Sequence, residues 1–199
     1  INRCPPKTQS ALLEAMQERQ VTIGKDTFSL HYPLFVLATQ NPLEQLGTYP
    51  LPEAQLDRFF FKLFMKYPTP EEESIILKEN IELRSLSQFS LKKILSSQEI
   101  LGLQEALKKI YTDKKVNTYI VDIINATRNP SQYNIKQKTF IRLGASPRGS
   151  INLFIASKAQ ALLEGRNFVT PQDVKVIAPD VLRHRILLNY EGQAENIST

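Results

Sequence analysis

The 199 residues are 42% hydrophobic and 23% charged with a net charge of +5, an ordinary globular balance with room for one domain or two small ones. Two histidines and one cysteine supply neither a metal-ligand set nor an internal disulfide, and no apolar run reaches the roughly 18 residues of a membrane span. The positive excess is mild and its pairs (Lys92-Lys93, Lys108-Lys109, Lys114-Lys115) punctuate helical patterns, so they read as solvated helix faces and not as a nucleic-acid patch.

The opening "INRCPP" carries no start signal, and the beginning of a longer chain is expected to be missing. With no signal-peptide pattern and a lone thiol, a cytoplasmic setting is expected. In "PPKTQSALLEAMQERQ", Leu12, Leu13, Ala15 and Met16 form an apolar stripe opposite Glu14, Gln17, Glu18 and Arg19, which predicts a helix. Val21, Ile23, Phe28 and Leu30 alternate with polar residues around Gly24-Lys25-Asp26, which predicts a hairpin over 21–32 with a loop of several residues. "PLFVLATQ" and "FFFKLFMKYP" read as two buried strands of a parallel sheet. The loop between them, from Pro42 to Arg58, contains a short helix at "PEAQLDR". Pro68-Thr69-Pro70 then acts as a hinge.

Beyond it the pattern is helical. Thr69-Pro70, Ser146-Pro147 and Thr170-Pro171 each place a capping hydroxyl before a proline at the first helical position, and Asp173 follows its cap by three residues. Two further helices fit "SQEILGLQEALKKIY" and "VNTYIVDIINATRN", and Gly165 reads as a helix C-cap. The expected fold class is α/β followed by all-α: residues 1–68 as part of an α/β core, residues 69–199 as a helical domain.

Few residues suggest chemistry by themselves. His31 reads as the end of a hairpin strand, His184 in "LRHRIL" as a surface helix residue, and Cys4 has no downstream histidine motif that would make it a nucleophile. A phosphate-binding loop needs G-x-x-x-x-G-K-[ST]; at Gly24-Lys25 the first glycine is replaced by Arg19 and the final hydroxyl by Asp26, so that stretch is a turn. Asn41 admits two readings: an amide presented at the end of a sheet strand, where α/β folds bind ligands, or an Asn-Pro turn bonded to its own backbone. Arg58, beside Asp57 and the aromatic run Phe59 to Phe61, either pairs with Asp57 or is held out towards a partner. Arg148 sits at the start of a capped helix, an end that favours anions.

The long string "INRCPPKTQSALLEAMQERQVTI…FVLATQNPLEQLGTYPLPEAQLDRF…GASPRGS…ALLEGRNFVTPQDVKVIAPDVLRHRI" resembles the MoxR family of AAA+ ATPases, densely over 1–62 and 143–187 and more loosely over 70–142. The resemblance places Ile1 just after the acidic Walker B motif and the Walker A loop further upstream. It implies the second half of the ATPase core followed by the helical lid, with ATP and magnesium bound through motifs outside this chain. Under it, Asn41 takes the sensor 1 position, with Thr39 and Gln40 as lesser candidates. Arg58 is the arginine finger reaching a neighbouring subunit's γ-phosphate. Arg148 is sensor 2, contacting its own subunit's nucleotide. Arg3, Lys7 and Gln9 would line the subunit seam, "LPEAQLD" would position the finger, Glu53 would pair across the seam, and the hairpin matches an insertion carried before sensor 1. Cys4 departs from the small residue expected there, with little bearing on function.

Two functions follow as expectations. In the first, the parent is a ring-forming ATPase, expected as a hexamer. It couples hydrolysis to chaperone-type remodelling or metal-cofactor maturation, acting beside a von Willebrand factor A domain protein or on a metalloenzyme client; the chain alone is expected to be inactive. In the second, the chain is a non-catalytic helical module that binds nucleic acid or a protein partner. The absence of basic stripes interleaved with aromatics argues against the nucleic-acid form.

Overall fold

Pro5 and Pro6 open α1 (Pro6–Glu18), which buries Gln9, Leu13 and Ala15 on one face. Arg19 ends it in the left-handed conformation at φ 56°, and its carbonyl accepts the Leu30 N–H at 2.7 Å, which brings the following hairpin back onto the helix end. The hairpin pairs β1 (Gln20–Ile23) with β2 (Asp26–Ser29) antiparallel, from Gln20↔Ser29 to Ile23↔Asp26. Its loop is therefore the two residues Gly24 and Lys25, tighter than the several-residue loop expected; Gly24 at φ 67° supplies the positive φ that such a turn requires. Glu14 on α1 accepts from Thr22 Oγ1 (2.8 Å) and Gln20 Nε2 (3.2 Å), fixing the hairpin to the helix.

The computed structural model describes residues 1–41, 47–79, 90–136, 138–195 and 197. The expected turn at Pro42 lies outside the described residues, as do residues 80–89 of the loosely resembling middle.

The two expected parallel strands are not paired as strands. Residues 33–41 and 59–68 join no sheet, and their apolar side chains stand largely open: Phe35 is 85% exposed, Leu37 80% and Met65 94%. A strand is defined by its neighbours, and among the described residues no strand pairs with these segments. Between them, α2 (Glu53–Leu56) forms the expected short helix.

The helices follow their caps. α3 (Pro70–Glu79) begins with a reciprocal pair in which Glu72 N–H donates to Thr69 Oγ1 (3.3 Å) and Thr69 N–H to Glu72 Oε2 (2.8 Å). α4 (Ser97–Lys109) has the same box between Ser96 and Glu99, and α7 (Pro171–Leu182) between Thr170 and Asp173. α5 (Lys114–Arg128) is capped by Asp113 and α6 (Pro147–Leu163) by Ser146. After α6, Gly165 takes φ 71°, its N–H bonding Leu162 O while Arg166 N–H bonds Ala161 O, the Schellman closure. A small antiparallel pair not expected from the sequence, β3 (Ile141–Leu143) with β4 (Leu187–Leu188), and a short α8 (Tyr190–Ala194) complete the helical half.

The core lies in this second half. Val116, Ile120 and Ile124 of α5 recur every four residues and so face one way. They meet Leu153, Ala156 and Ala161 of α6 and Val174, Val181 and Leu182 of α7. Alanines on α6 let its neighbours approach closely, and the one hydroxyl among them is satisfied: Ser157 Oγ donates to Leu153 O at 2.7 Å. Phe60, from the segment that precedes the hinge, packs against this core.

Candidate functional site

The sequence "GASPRG" is explained position by position. A Cβ on Gly144 would lie 2.4 Å from Thr127 O, so only glycine lets the chain cross the end of α5. Ala145 is buried; its N–H donates to Thr127 Oγ1 (2.9 Å) and its carbonyl accepts the Arg128 Nε–H (2.7 Å). Ser146 caps α6, Pro147 fills the first turn where no donor is missed, and Gly149 lies within 3.2 Å, measured from an ideal Cβ, of Ala145 and Ile124 side-chain atoms. Arg148 is directed outwards beside the exposed Pro147, with its side chain 47% exposed.

The second half of the site is the turn that follows α2. Asp57, Arg58 and Phe59 continue the helical bonding, donating to Glu53 O, Gln55 O and Leu56 O at 3.0, 3.2 and 3.1 Å. The Asp57 carboxylate then reaches across to the start of α6 and the turn after α7. It accepts from Ser146 Oγ at 2.8 and 3.0 Å, from Arg185 Nε at 3.0 Å and from an Arg148 terminal nitrogen at 3.4 Å. Thus Ser146 serves both the helix N-terminus and the carboxylate, and Arg148 is brought beside the residue that precedes Arg58.

Arg58 itself is treated differently. Its carboxylate neighbour is occupied by other donors, and no ion pair to Arg58 occurs among the described residues; its Nε–H is buried without a hydrogen-bond partner in the chain. The alternative of an Asp57–Arg58 structural pair is therefore not what the fold forms.

His184 is 5% exposed, which corrects the expectation of a surface residue. Its helix end turns inwards onto Phe59, whose carbonyl can only accept; the ring therefore donates through Nε2 (3.1 Å). Nδ1 is left buried without a partner. Burial, with the Arg185 cation next in importance, pushes this histidine down to about 4, so it is neutral at physiological pH. Arg185 is also fully buried, with 0% of its side chain exposed. Burial pulls its guanidinium below the usual arginine range while the Asp57 carboxylate opposes that shift.

Asn41 is placed elsewhere, against the opening residues. Ile1 N donates to Thr39 O (2.6 Å), Asn2 Nδ2 donates to Asn41 O (3.1 Å), and Tyr49 N–H donates to Asn2 O (2.6 Å). Gln9 is buried beneath them and holds Ile1 O (3.2 Å) and Tyr49 O (2.9 Å), a packing role within the chain. Arg3 and Lys7 are exposed. Glu53 forms an ion pair with Arg142 of the same chain. Among the described residues no group of three His, Cys, Asp or Glu side chains could hold a metal ion.

Sequence reasoning missed Asp57 and Arg185 as site residues and misplaced His184. The available signal was "LRHRIL", two cations and a histidine inside an apolar run, which is costly unless the charges find partners.

The chain can do two things chemically with this arrangement: present cationic donors to an anion, and tie the lid to the turn carrying Arg58. The chain is similar to known proteins over its whole length. Residues 1–61 match the model for the ATPase family associated with various cellular activities (AAA), and residues 135–199 match the AAA lid domain. The chain is 47% identical, over its whole length, to Chaperone MoxR1 of Mycobacterium tuberculosis, of which it covers 52%. It is 45% identical over 99% of its length to protein YeaC of Bacillus subtilis, covering 58% of it, and 30% identical over 98% to protein MoxR of Paracoccus denitrificans, covering 60%. A crystal structure from Cytophaga hutchinsonii, of a protein named only as a candidate ATPase, superposes over 99% of this chain and 59% of that one with a TM-score of 0.90 at 44% identity. The chain spans about half the length of the curated relatives it matches.

Proposed function

The chain belongs to the MoxR family of AAA ATPases, and from that premise we propose that it serves as the second half of an ATP-hydrolysing core, residues 1–68, with its lid, residues 69–199. In this reading Arg58 is an arginine finger for the nucleotide of a neighbouring subunit, Asn41 is sensor 1, and Arg148 is sensor 2. The parent assembles as a ring, a hexamer in the simplest case, in the cytoplasm. It uses ATP and magnesium, held by motifs that this sequence does not contain, to remodel client proteins or to mature metal-cofactor enzymes, beside a von Willebrand factor A domain partner. The open apolar segments 33–41 and 59–68 then lie against the remaining strands of the parent's sheet.

One observation carries the proposal. Arg58 keeps a permanently charged group beside a carboxylate that is already occupied, with its own Nε–H unpartnered. A buried donor without an acceptor costs about 1–3 kcal/mol, more when charged, and is retained where a ligand completes it. Phosphate oxygens suit a guanidinium, which forks onto two of them at once. Arginine fingers contribute about 10³- to 10⁵-fold to phosphoryl transfer in GTPases. The test is ATP turnover by the full-length parent carrying Arg58→Ala. Turnover is expected to fall by about 10³-fold or more with ATP binding nearly intact; an unchanged rate would rule out the role.

A further inference from the structure

We infer that Arg185, a residue of the lid more than 120 positions downstream of Arg58, is the positioning residue that holds the Arg58 turn in its working geometry; the inference rests on the reading of Arg58 as a finger. A guanidinium has five N–H donors. In this structure all five are used. Nε donates to Asp57 Oδ1 (3.0 Å); one terminal nitrogen donates to Asp57 O (3.0 Å) and Phe59 O (2.6 Å); the other donates to Phe60 O (3.3 Å) and to Val181 O of α7. Four of the five acceptors belong to residues 57–60. The peptide carbonyls on both sides of Arg58 are thus fixed, while the Arg58 side chain receives no bond from the clamp.

This is a costly way to gain stability alone. A fully buried guanidinium loses its hydration, and replacing a buried ion pair by apolar residues is often neutral or stabilising. What the arrangement supplies is register. Reacting groups must be held within about 0.5 Å of the productive geometry, and Arg185 adds bonds from outside the turn to those the turn makes itself. His184, donating to Phe59 O at 3.1 Å, and Lys62 N–H, donating to Asp180 O at 2.9 Å, continue the same seam. The finger turn is therefore mechanically part of the lid: a movement of α7 carries Arg58 with it. Arg148 joins the same carboxylate from the start of α6, so the two phosphate-directed cations report to one lid through Asp57.

Lysine cannot replace this residue, since an ammonium has three donors and no planar fork. The experiment compares full-length parent proteins carrying Arg58→Ala, Arg185→Lys and both, by steady-state ATP turnover, fluorescent-ATP binding and thermal unfolding. Arg185→Lys is expected to lower kcat at least tenfold while the ATP dissociation constant stays within twofold. The double variant is expected to be no slower than Arg58→Ala alone, because Arg185 acts only through Arg58. If Arg185→Lys does not fold, Arg185→Met, which fills the buried site with an apolar chain and leaves Asp57 in place, is judged by the same criteria. Normal kcat in the folded variant, or losses that multiply in the double variant, would overturn the positioning role while leaving the finger intact. Normal turnover in Arg58→Ala would overturn the finger reading and this inference with it.

Discussion

His184 provides a pH-dependent stability that can be worked out from its surroundings. An unfolded histidine titrates near 6.5, whereas in the folded chain burial and Arg185 push the ring down to about 4. Protonation would place a new N–H at Nδ1, which is buried and has no acceptor, close to the Arg185 cation. Because the folded value lies below the unfolded one, the unfolded chain binds the extra proton between these two values. Stability is full above about pH 6.5 and is lost as pH falls towards 4. At 1.36 kcal/mol per pKa unit, the loss between pH 7 and pH 5 is about 2 kcal/mol. For a chain of this size that corresponds to a fall in Tm of about 4–8 °C. The assay is urea unfolding followed by helical circular dichroism at a series of pH values, on the wild type and on His184→Gln, whose side chain does not titrate. The difference in unfolding free energy between the two proteins should shrink by about 2 kcal/mol from pH 7 to pH 5. A difference that stays constant, or a His184 ring resonance that titrates near 6.5 in the folded protein, would refute the reasoning.

Two other outcomes can be checked on the same material. Gly144→Ala places a Cβ against the Thr127 carbonyl, and the forced shift should cost at least about 1–3 kcal/mol in urea unfolding; a neutral result would mean that the crossing over α5 is not fixed by that contact. The 199-residue chain alone, having no phosphate-binding loop, is expected to give no heat of ATP binding at micromolar concentrations by calorimetry and no hydrolysis.

What could be read from the sequence was the local chemistry. Thr69, Ser146 and Thr170 cap the helices they precede, and Gly165 closes α6, because a cap depends on residues within one turn of itself. The helical lid and the short helix before Arg58 follow from the same kind of signal. The hairpin was legible as an element, although its loop proved shorter: Asp26 pairs with Ile23 instead of turning. The two segments "PLFVLATQ" and "FFFKLFMKYP" were composed as strands, yet strand formation needs a neighbour, which composition does not supply. The site was half legible. Arg58 and Arg148 stood out through the resemblance, but their meeting point at Asp57 joins residues 91 positions apart, and Arg185 reaches it over 128. Contacts at such separations are set by how α6 and α7 pack, and a single sequence does not show that. His184 was misjudged for the same reason: its polar flanks look solvated until Phe59 and Phe60 are laid over them.

The central claim is that Arg58 completes the nucleotide site of another subunit. Its most direct measurement mixes two full-length variants, each inactive alone: Arg58→Ala, and a variant with an inactivated phosphate-binding loop that keeps Arg58. ATP turnover of the mixture is expected to rise well above either variant, as intact loops from one protein meet intact fingers from the other. A mixture that assembles yet stays as inactive as its components would contradict the account.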